Sequence, residues 1–560
     1  MGARTHMTLR HGGQILVDQL KIEGVTRVFS VPGESFLAAL DGLYESGIDN
    51  VVCRHEGGAA MMAEAHGKLV GAPGVLFVTR GPGACNASSG LHVAMQDSTP
   101  MVVFVGQIAR GHRDRGAFQE VDYKAFFGPL VKWVAEVDQT ERLPEYIARA
   151  FSLARSGRPG PVVLALPEDM LSAKADVADR PQVTVPAQPV SSQTVKRALA
   201  LLSRFERPMV IAGGSAWDAE TSKALEAFSS AHDLPVAVPF RRQDYLDNRC
   251  AQYVGDLGVG MNPQLAEMLK KADFLMLLGA GLRDIATAGY TLVDPAESGK
   301  TICHVHPDPD SLGQIYHADM AVAASAPDML RALALLPPRV NPVWANWRME
   351  ARRSYEAWQQ PQATPGAVQM EQIIGWLSEN VPDDAILTNG AGNYAAFLHR
   401  YFRYKQHGTQ LAPTSGSMGY GFPAALAAKL EHPERDVICL AGDGCFQMTL
   451  NELGTALQSK LAVITIVINN GKYGTIRMHQ EKSYPGRVSG TALENPDFAA
   501  LARAYGGYGA TVRKTEEFAE AFAAAQASGK PAVIELILDD EVLSTAQSLT
   551  ETRASAKRPG

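Results

Sequence analysis

The sequence predicts an α/β protein built of three doubly wound parallel-sheet units. Short β-branched runs recur along the 560 residues and alternate with amphipathic helical patterns. That alternation is the signature of parallel sheets covered on both faces. Two stretches, 174–193 and 337–365, interrupt it with proline and polar or charged residues. Length agrees, since about 150 residues per domain allows roughly three to four units.

The first unit is expected over 8–175, with strands at 25–31, 51–54, 75–79, 101–106 and 162–165. The stretch 174–193 reads as a linker. The second unit, 190–340, has strands expected at 209–214, 234–238, 274–279 and 301–305. The break at 337–365 surrounds tryptophans and a basic helix-like segment. The third unit, 366–545, has strands expected at 385–387, 437–440, 461–468 and 532–536. The three share a layout without a short-period repeat.

Composition narrows the function classes. With 46% hydrophobic and 20% charged residues the chain suits packed domains rather than disorder. A net charge of −7 leaves no electrostatic footprint for nucleic acid or an anionic membrane. Apolar runs such as 461–468, broken by Thr465, fall far below the roughly 20 residues that span a bilayer. Neither partner is expected. Cys53, Cys85, Cys250, Cys303, Cys439 and Cys445 are scattered with no CxxC pair, which reads as reduced thiols in a cytoplasmic protein. Met1 to Met7 lack an apolar core, so they do not read as a signal peptide, and Met7 is a candidate native start behind a vector remnant.

The sharpest chemical signal lies in the third unit. Val437-Ile-Cys-Leu-Ala-Gly442-Asp443-Gly444-Cys445-Phe446 is followed by Leu461-Ala-Val-Ile-Thr-Ile-Val-Ile-Asn469-Asn470-Gly471. This reads as strand, glycine turn, helix, strand and polar turn. Asp443 and Asn470 then fall past the carboxyl ends of two strands, where open α/β sheets bind ligands. If those strands are neighbours, a carboxylate and an amide oxygen converge, and the Lys472 carbonyl can add a third oxygen. Hard oxygen donors suit Mg²⁺ or Ca²⁺ shared with a phosphate. Gly442 and Gly444 permit close backbone approach, and a helix expected to begin near Phe446 would offer its amides to the anion. The plain alternative is a βαβ turn with a capping Asp.

This GDG…NN pair resembles the diphosphate and metal motif of thiamine-diphosphate (ThDP) enzymes. Arg54-His55-Glu56, before an alanine-rich helix, is similar to the family's PYR domain. Thr79-Arg80-Gly81-Pro82-Gly83-Ala84-Cys85-Asn86 resembles the glycine turn beside the cofactor. Thr414-Ser-Gly416-Ser-Met418-Gly-Tyr-Gly-Phe-Pro423 resembles the segment that props the cofactor in its bent form. Phe118-Gln119-Glu120 and Gly442-Asp-Gly-Cys-Phe-Gln-Met448 look most like acetolactate synthase. The resemblance covers essentially the whole chain in the order PYR (8–175), middle Rossmann-like (190–340) and PP (366–545).

The resemblance implies the following roles. Glu56 is the catalytic acid at the cofactor's pyrimidine N1′, favouring the imino tautomer that acts as an internal base. Gln119 is a second catalytic, substrate-side amide. Pro32, Gly33, Thr79, Gly83 and Asn86 approach the cofactor from the PYR domain. Gly392, Asn393, Gly416, Met418, Gly442, Asp443, Gly444, Cys445, Asn470, Lys472, Tyr473, Gly474 and Thr475 do so from the PP domain. Asp443, Asn470 and the Lys472 carbonyl hold Mg²⁺. Thr475, Ile476 and His479, with Gln119, shape the substrate site. His55 and His112 read as structural histidines rather than acid–base groups. Because Glu56 and Asp443 lie on different domains, the resemblance implies a homodimer or homotetramer with its active site at a subunit interface.

Some positions depart from the synthases. Asn393-Tyr394 stands where they usually carry Gln-His, and His479 stands about where they carry a tryptophan. Glu34 replaces the second glycine of their PGG loop, a carboxylate that disfavours anionic acceptors unless paired. Gly279-Ala-Gly-Leu-Arg283-Asp284-Ile and His304-Val-His306-Pro-Asp308-Pro stand where flavin-binding motifs would fall, so FAD is doubtful. The expected function is a ThDP- and Mg²⁺-dependent 2-oxo acid decarboxylase-carboligase resembling acetolactate synthase. The alternative is a non-ligating relative: a 2-oxo acid decarboxylase, a 2-hydroxyacyl-CoA lyase or oxalyl-CoA decarboxylase-like enzyme, or a C–C hydrolase. A Rossmann dehydrogenase would want a GxGxxG after the first strand, which Val31-Pro32-Gly33-Glu34 does not supply. A non-catalytic homologue would have lost Glu56 or the metal ligands. Donor, acceptor, regulatory subunit, biosynthetic or catabolic role, and dimer against tetramer stay open at this level.

Overall fold

Each β-branched run pairs with its neighbours as a parallel strand, giving three six-stranded sheets. The computed structural model describes residues 9–338 and 342–556. The readings of residues 1–8 and the limits drawn at 8 and 340 lie outside the described residues.

The first sheet runs, edge to edge, Asp49–Val52, Arg27–Ser30, Gly74–Val78, Met101–Gln107, Pro161–Pro167 and Trp133–Glu136. The second runs Tyr253–Leu257, Val236–Pro239, Pro208–Ala212, Phe274–Leu278, Thr301–His306 and Met320–Ala323. The third runs Gln410–Leu411, Ile386–Asn389, Val437–Gly442, Ile464–Asn469, Ala532–Ile537 and Tyr508–Val512. Numbered by chain position within each sheet, the first and third share the order 2-1-3-4-6-5. The second has the dinucleotide-fold order 3-2-1-4-5-6.

Trp133–Glu136, Tyr253–Leu257, Met320–Ala323, Gln410–Leu411 and Tyr508–Val512 were not among the expected strands. All five are sheet edges. An edge strand is paired on one side alone and needs no continuous apolar run; Met320–Ala323 alternates buried and exposed residues. The stretch 174–193 is not linker throughout: Lys174–Ala175 pairs antiparallel with Arg10–His11, and a helix begins at Ser192.

Central strands are buried along their length, as Gly74–Val78 and Pro161–Pro167 show. Phe77 and Phe104 stack at 4.8 Å inside the first core. Burying each such side chain contributes about 1.5–3 kcal/mol. By contacts the chain forms two compact units. One holds the residues up to Pro186 with Leu426–Glu431 and Thr449–Lys460; the other holds Ala187–Ala425, His432–Met448 and the residues from Leu461 on.

Candidate active site

In the first unit Glu56 opens the helix Glu56–Val70. A carboxylate in the first turn suits the positive end of the helix dipole. His55 caps that helix, its Nδ1 accepting the Gly57 N–H at 3.0 Å. Glu56 is 8% exposed, and its Oε2 accepts Asn86 Nδ2 at 2.9 Å. Gly83 leaves room beside it, since a β-carbon there would stand 3.1 Å from Glu56 Oε1.

One residue behind this arrangement had no sequence signal. Glu452, fully buried, accepts the backbone N–H of His55 at 3.0 Å and that of Arg54 at 3.1–3.2 Å. Thr455 Oγ1 donates to its other face at 2.5 Å. Burial pushes the Glu452 carboxyl above its ordinary value, against the pull of the Thr455 hydroxyl and the two amides. Some four hundred residues of chain separate acceptor from donor, so no local pattern announces the pair.

The glycine turn is equally close-packed. A β-carbon at Gly33 would lie 2.3 Å from Thr79 Cβ, and one at Gly81 would lie 2.8 Å from Gln119 Cβ. Gln119 therefore sits against Gly81, in a left-handed backbone at φ +65°. Glu120 shapes its loop by accepting N–H groups of Asp114 (2.7 Å) and Ala117 (2.9 Å), which hold its carboxyl below the ordinary value. Tyr123 OH accepts the Gly81 N–H at 2.9 Å. The condition set for Glu34 is met: its carboxylate pairs with Arg80 at 3.3 Å, and Arg80 also holds Glu168 at 2.8 Å. Pro32 is exposed, as is His112 in a short turn.

In the second unit the strands Val437–Gly442 and Ile464–Asn469 are neighbours, with Gly442 opposite Ile468. Asp443 and Asn470 thus come together past their carboxyl ends, beside the switch between Ile386–Asn389 and Val437–Gly442. A cavity of about 260 Å³ opens there. Gly392, Asn393, Gly416, Met418, Gly442, Asp443, Gly444, Cys445, Asn470, Lys472, Tyr473, Gly474, Thr475 and Ile476 all line it. His479 does not: it is exposed further along the helix Gly474–Ser483.

Asp443 is 3% exposed and well held. Its Oδ1 accepts Gly444 N–H at 2.8 Å; its Oδ2 accepts Gly471 N–H at 2.9 Å and Asn495 Nδ2 at 2.7 Å. Burial pushes its carboxyl up, and these donors pull it back. Asn495, another residue with no sequence signal, also donates to Asn469 Oδ1 at 2.8 Å and accepts Gln447 Nε2 at 2.8 Å. The strand-like stretch before it braces the loop: Leu493 N–H donates to Gly471 O and Tyr473 N–H to Thr491 O. Those bonds flank Lys472, so its carbonyl is not consumed by the brace. One carboxylate, one amide and one carbonyl oxygen fit a hard divalent ion. Among the described residues no group of three His, Cys, Asp or Glu side chains could hold a metal.

One expectation changes here. The helix expected near Phe446 spans Asp443–Gln447, and its Gly444 amide serves Asp443 itself. The longer helix opening on the cavity begins at Gly474. Asn393, which lines the cavity, also donates to Leu543 O at 2.6 Å and accepts Thr475 Oγ1 at 2.9 Å, joining three segments. Tyr394 lies against the glycine turn, its ring 3.0 Å from a β-carbon placed at Gly442 and its hydroxyl donating to Cys445 Sγ at 3.4 Å.

A chain with two like-ordered sheets, before and after a dinucleotide-type one in sequence, and a glycine-lined acidic cavity at a switch point, defines a class. The chain matches three domain models of thiamine pyrophosphate enzymes: the N-terminal TPP binding domain over 10–126, the central domain over 195–333 and the C-terminal TPP binding domain over 390–536. It is 30% identical to the acetolactate synthase isozyme 2 large subunit of Escherichia coli (strain K12), covering 95% of this chain and 96% of that one. It is 32% identical to the isozyme 3 large subunit of the same organism, over 91% of each chain. The Corynebacterium glutamicum acetolactate synthase large subunit is 30% identical over 95% of this chain and 87% of its own. The protein belongs to the thiamine pyrophosphate enzymes and is a ThDP-dependent enzyme of acetolactate synthase-like type. Among the described residues no helix is long and apolar enough to cross a membrane.

Proposed function

We propose that the protein is a ThDP- and Mg²⁺-dependent carboligase that decarboxylates pyruvate or a similar 2-oxo acid and joins the remaining fragment to a carbonyl acceptor. The observation that carries this reading is the single cavity in which Asp443, Asn470 and Lys472 meet Gly416 and Met418. Bound ThDP supplies a carbanion stabilised beside a positively charged ring nitrogen, which lets a 2-oxo acid lose CO₂ at neutral pH.

The chain's own residues do the rest. Asp443, Asn470 and the Lys472 carbonyl would hold Mg²⁺, whose charge would offset that of the diphosphate. The first-turn amides of Gly474–Ser483 take the anion's remaining charge. Met418, half-buried in the cavity wall, supplies an apolar support, and Gly416 offers its carbonyl. Oε2 of Glu56 accepts from Asn86, which leaves Oε1 to meet the cofactor's pyrimidine. Gln119 and Ile476, with Thr475, face the substrate.

The domain limits 8–175, 190–340 and 366–545 remain our assignment, as does a cytoplasmic location. A second copy of the chain completing the site is likewise our assignment. The reading assigns no role to a flavin.

The test uses purified protein with ThDP, Mg²⁺ and pyruvate, without FAD, following CO₂ and carbon–carbon-linked products. Acetolactate is the expected product. CO₂ with free acetaldehyde replaces the carboligase reading by simple decarboxylation. No CO₂ despite bound ThDP removes pyruvate as donor.

A further inference from the structure

Arg241 is 3% exposed and holds φ +62°, a left-handed backbone that an arginine rarely adopts. It stands two residues after the middle-sheet strand Val236–Pro239, with its guanidinium carbon 4.5 Å over the Phe240 ring. Its Nη1 donates to the Pro413 carbonyl at 2.5 Å and its Nη2 to the Gly390 carbonyl at 2.7 Å. Gly390 begins the turn that carries Gly392 and Asn393 into the cavity. Pro413 begins the turn that carries Gly416 and Met418, and its carbonyl also accepts the Gly416 N–H at 3.0 Å.

The two turns touch, since a β-carbon at Gly390 would lie 3.4 Å from Ser417 O and 3.4 Å from Gly419 N. A planar guanidinium fixes the separation of two acceptors more closely than any other side chain. The arginine is itself held in place. Asp244 Oδ2 accepts the N–H groups of Gly408, Thr409 and Gln410 at 2.9, 3.1 and 3.2 Å. Gln243 N–H donates to Gln410 Oε1 at 2.8 Å, and Gln410 Nε2 donates back to Gln243 Oε1 at 3.0 Å. Arg241 to Asp244 thus forms a buried polar run that anchors the middle sheet to the backbone of the cofactor-side turns.

We infer that Arg241 is a positioning residue for ThDP: the middle domain, through this fork, sets the spacing of the two turns that grip the cofactor. The inference rests on reading the cavity as the ThDP site. It assigns the middle domain a part in cofactor binding without any ligand of its own.

Arg241→Gly suits the left-handed backbone and removes the fork together with its contact on the Phe240 ring, while Arg241→Lys keeps charge but cannot bridge both carbonyls in one plane. ThDP affinity in excess Mg²⁺ would be measured by quenching of tryptophan fluorescence, beside thermal unfolding of the cofactor-free protein. Arg241→Gly is expected to fold, unfolding at a lower temperature than the parent, while its ThDP dissociation constant rises at least about tenfold, since both charge-assisted hydrogen bonds of the fork are lost. Arg241→Lys should fall between. Parent-like ThDP affinity in Arg241→Gly, or in Arg241→Lys should the glycine variant not fold, overturns the inference. Failure of the parent itself to bind ThDP overturns the functional reading and this inference with it.

Discussion

Asn495 donates its side-chain amide to the Asp443 carboxylate at 2.7 Å, from a loop some fifty residues downstream. With the same nitrogen it reaches Asn469 at 2.8 Å, tying the ends of two neighbouring strands together. The orientation of Asp443 therefore depends on a residue that does not itself line the cavity.

Asn495→Ala should leave the fold intact and weaken divalent-ion binding about tenfold to a hundredfold, as loss of a partner behind a metal ligand usually does. Titrating Mg²⁺ into protein with saturating ThDP checks this. Turnover should recover at high Mg²⁺; an unchanged Mg²⁺ midpoint would show that Gly444 and Gly471 suffice to hold the carboxylate.

Glu56→Gln keeps size and the Asn86 contact but cannot exchange a proton as a carboxyl does. Folding and ThDP affinity should stay near the parent's while most turnover is lost. Equal turnover in variant and parent would sink the role given to Glu56.

Glu452→Ala removes the acceptor shared by the Arg54 and His55 amides immediately before Glu56. Leaving those part-buried amides and the buried Thr455 hydroxyl without their acceptor should cost about 1–3 kcal/mol of stability. Turnover should fall further than the stability loss explains, because the helix carrying Glu56 loses its anchor. Thermal unfolding measured alongside kcat separates the two effects.

Glu481 is pinned by Arg553 through two bonds of 2.9 and 3.0 Å and by Arg477 at 2.8 Å. Its carboxyl is held down to about 2, chiefly by Arg553. A depressed folded value means stability present above the ordinary value of 4.5 and lost as pH falls toward about 2. Arg553 is 44% exposed, so screening limits the contribution to about 1–2 kcal/mol. Glu481→Gln should flatten the stability profile between those pH values and raise proteolytic clipping of Leu549–Ser555 at neutral pH. A profile that keeps its slope would assign the acid sensitivity elsewhere.

The chemistry was legible in the sequence wherever it is local. Gly442-Asp443-Gly444 and Asn469-Asn470 each follow a continuous apolar run, and such a run is a central strand because it is covered on both faces. The strand ends were therefore placed, and with them the residues that line the cavity. Edge strands such as Tyr508–Val512, half-exposed and without that run, escaped. His479 was placed by resemblance, where the synthases carry a tryptophan; it shares a helix face with Thr475 and Ile476 but stands one turn further along, outside the cavity those two line.

By itself, the sequence determined the three-unit α/β class, the order of the units and the acids and amides of the site, because alternating hydrophobicity and glycine turns are short-range properties. Tertiary structure alone decided which backbone groups those residues lean on. Glu452 beneath Arg54 and His55, Asn495 behind Asp443, and Arg241 between Gly390 and Pro413 are pairings across dozens to hundreds of residues. A hydrogen bond to a main-chain group leaves no residue-type signal at the partner position, since every residue carries a carbonyl and all but proline an N–H.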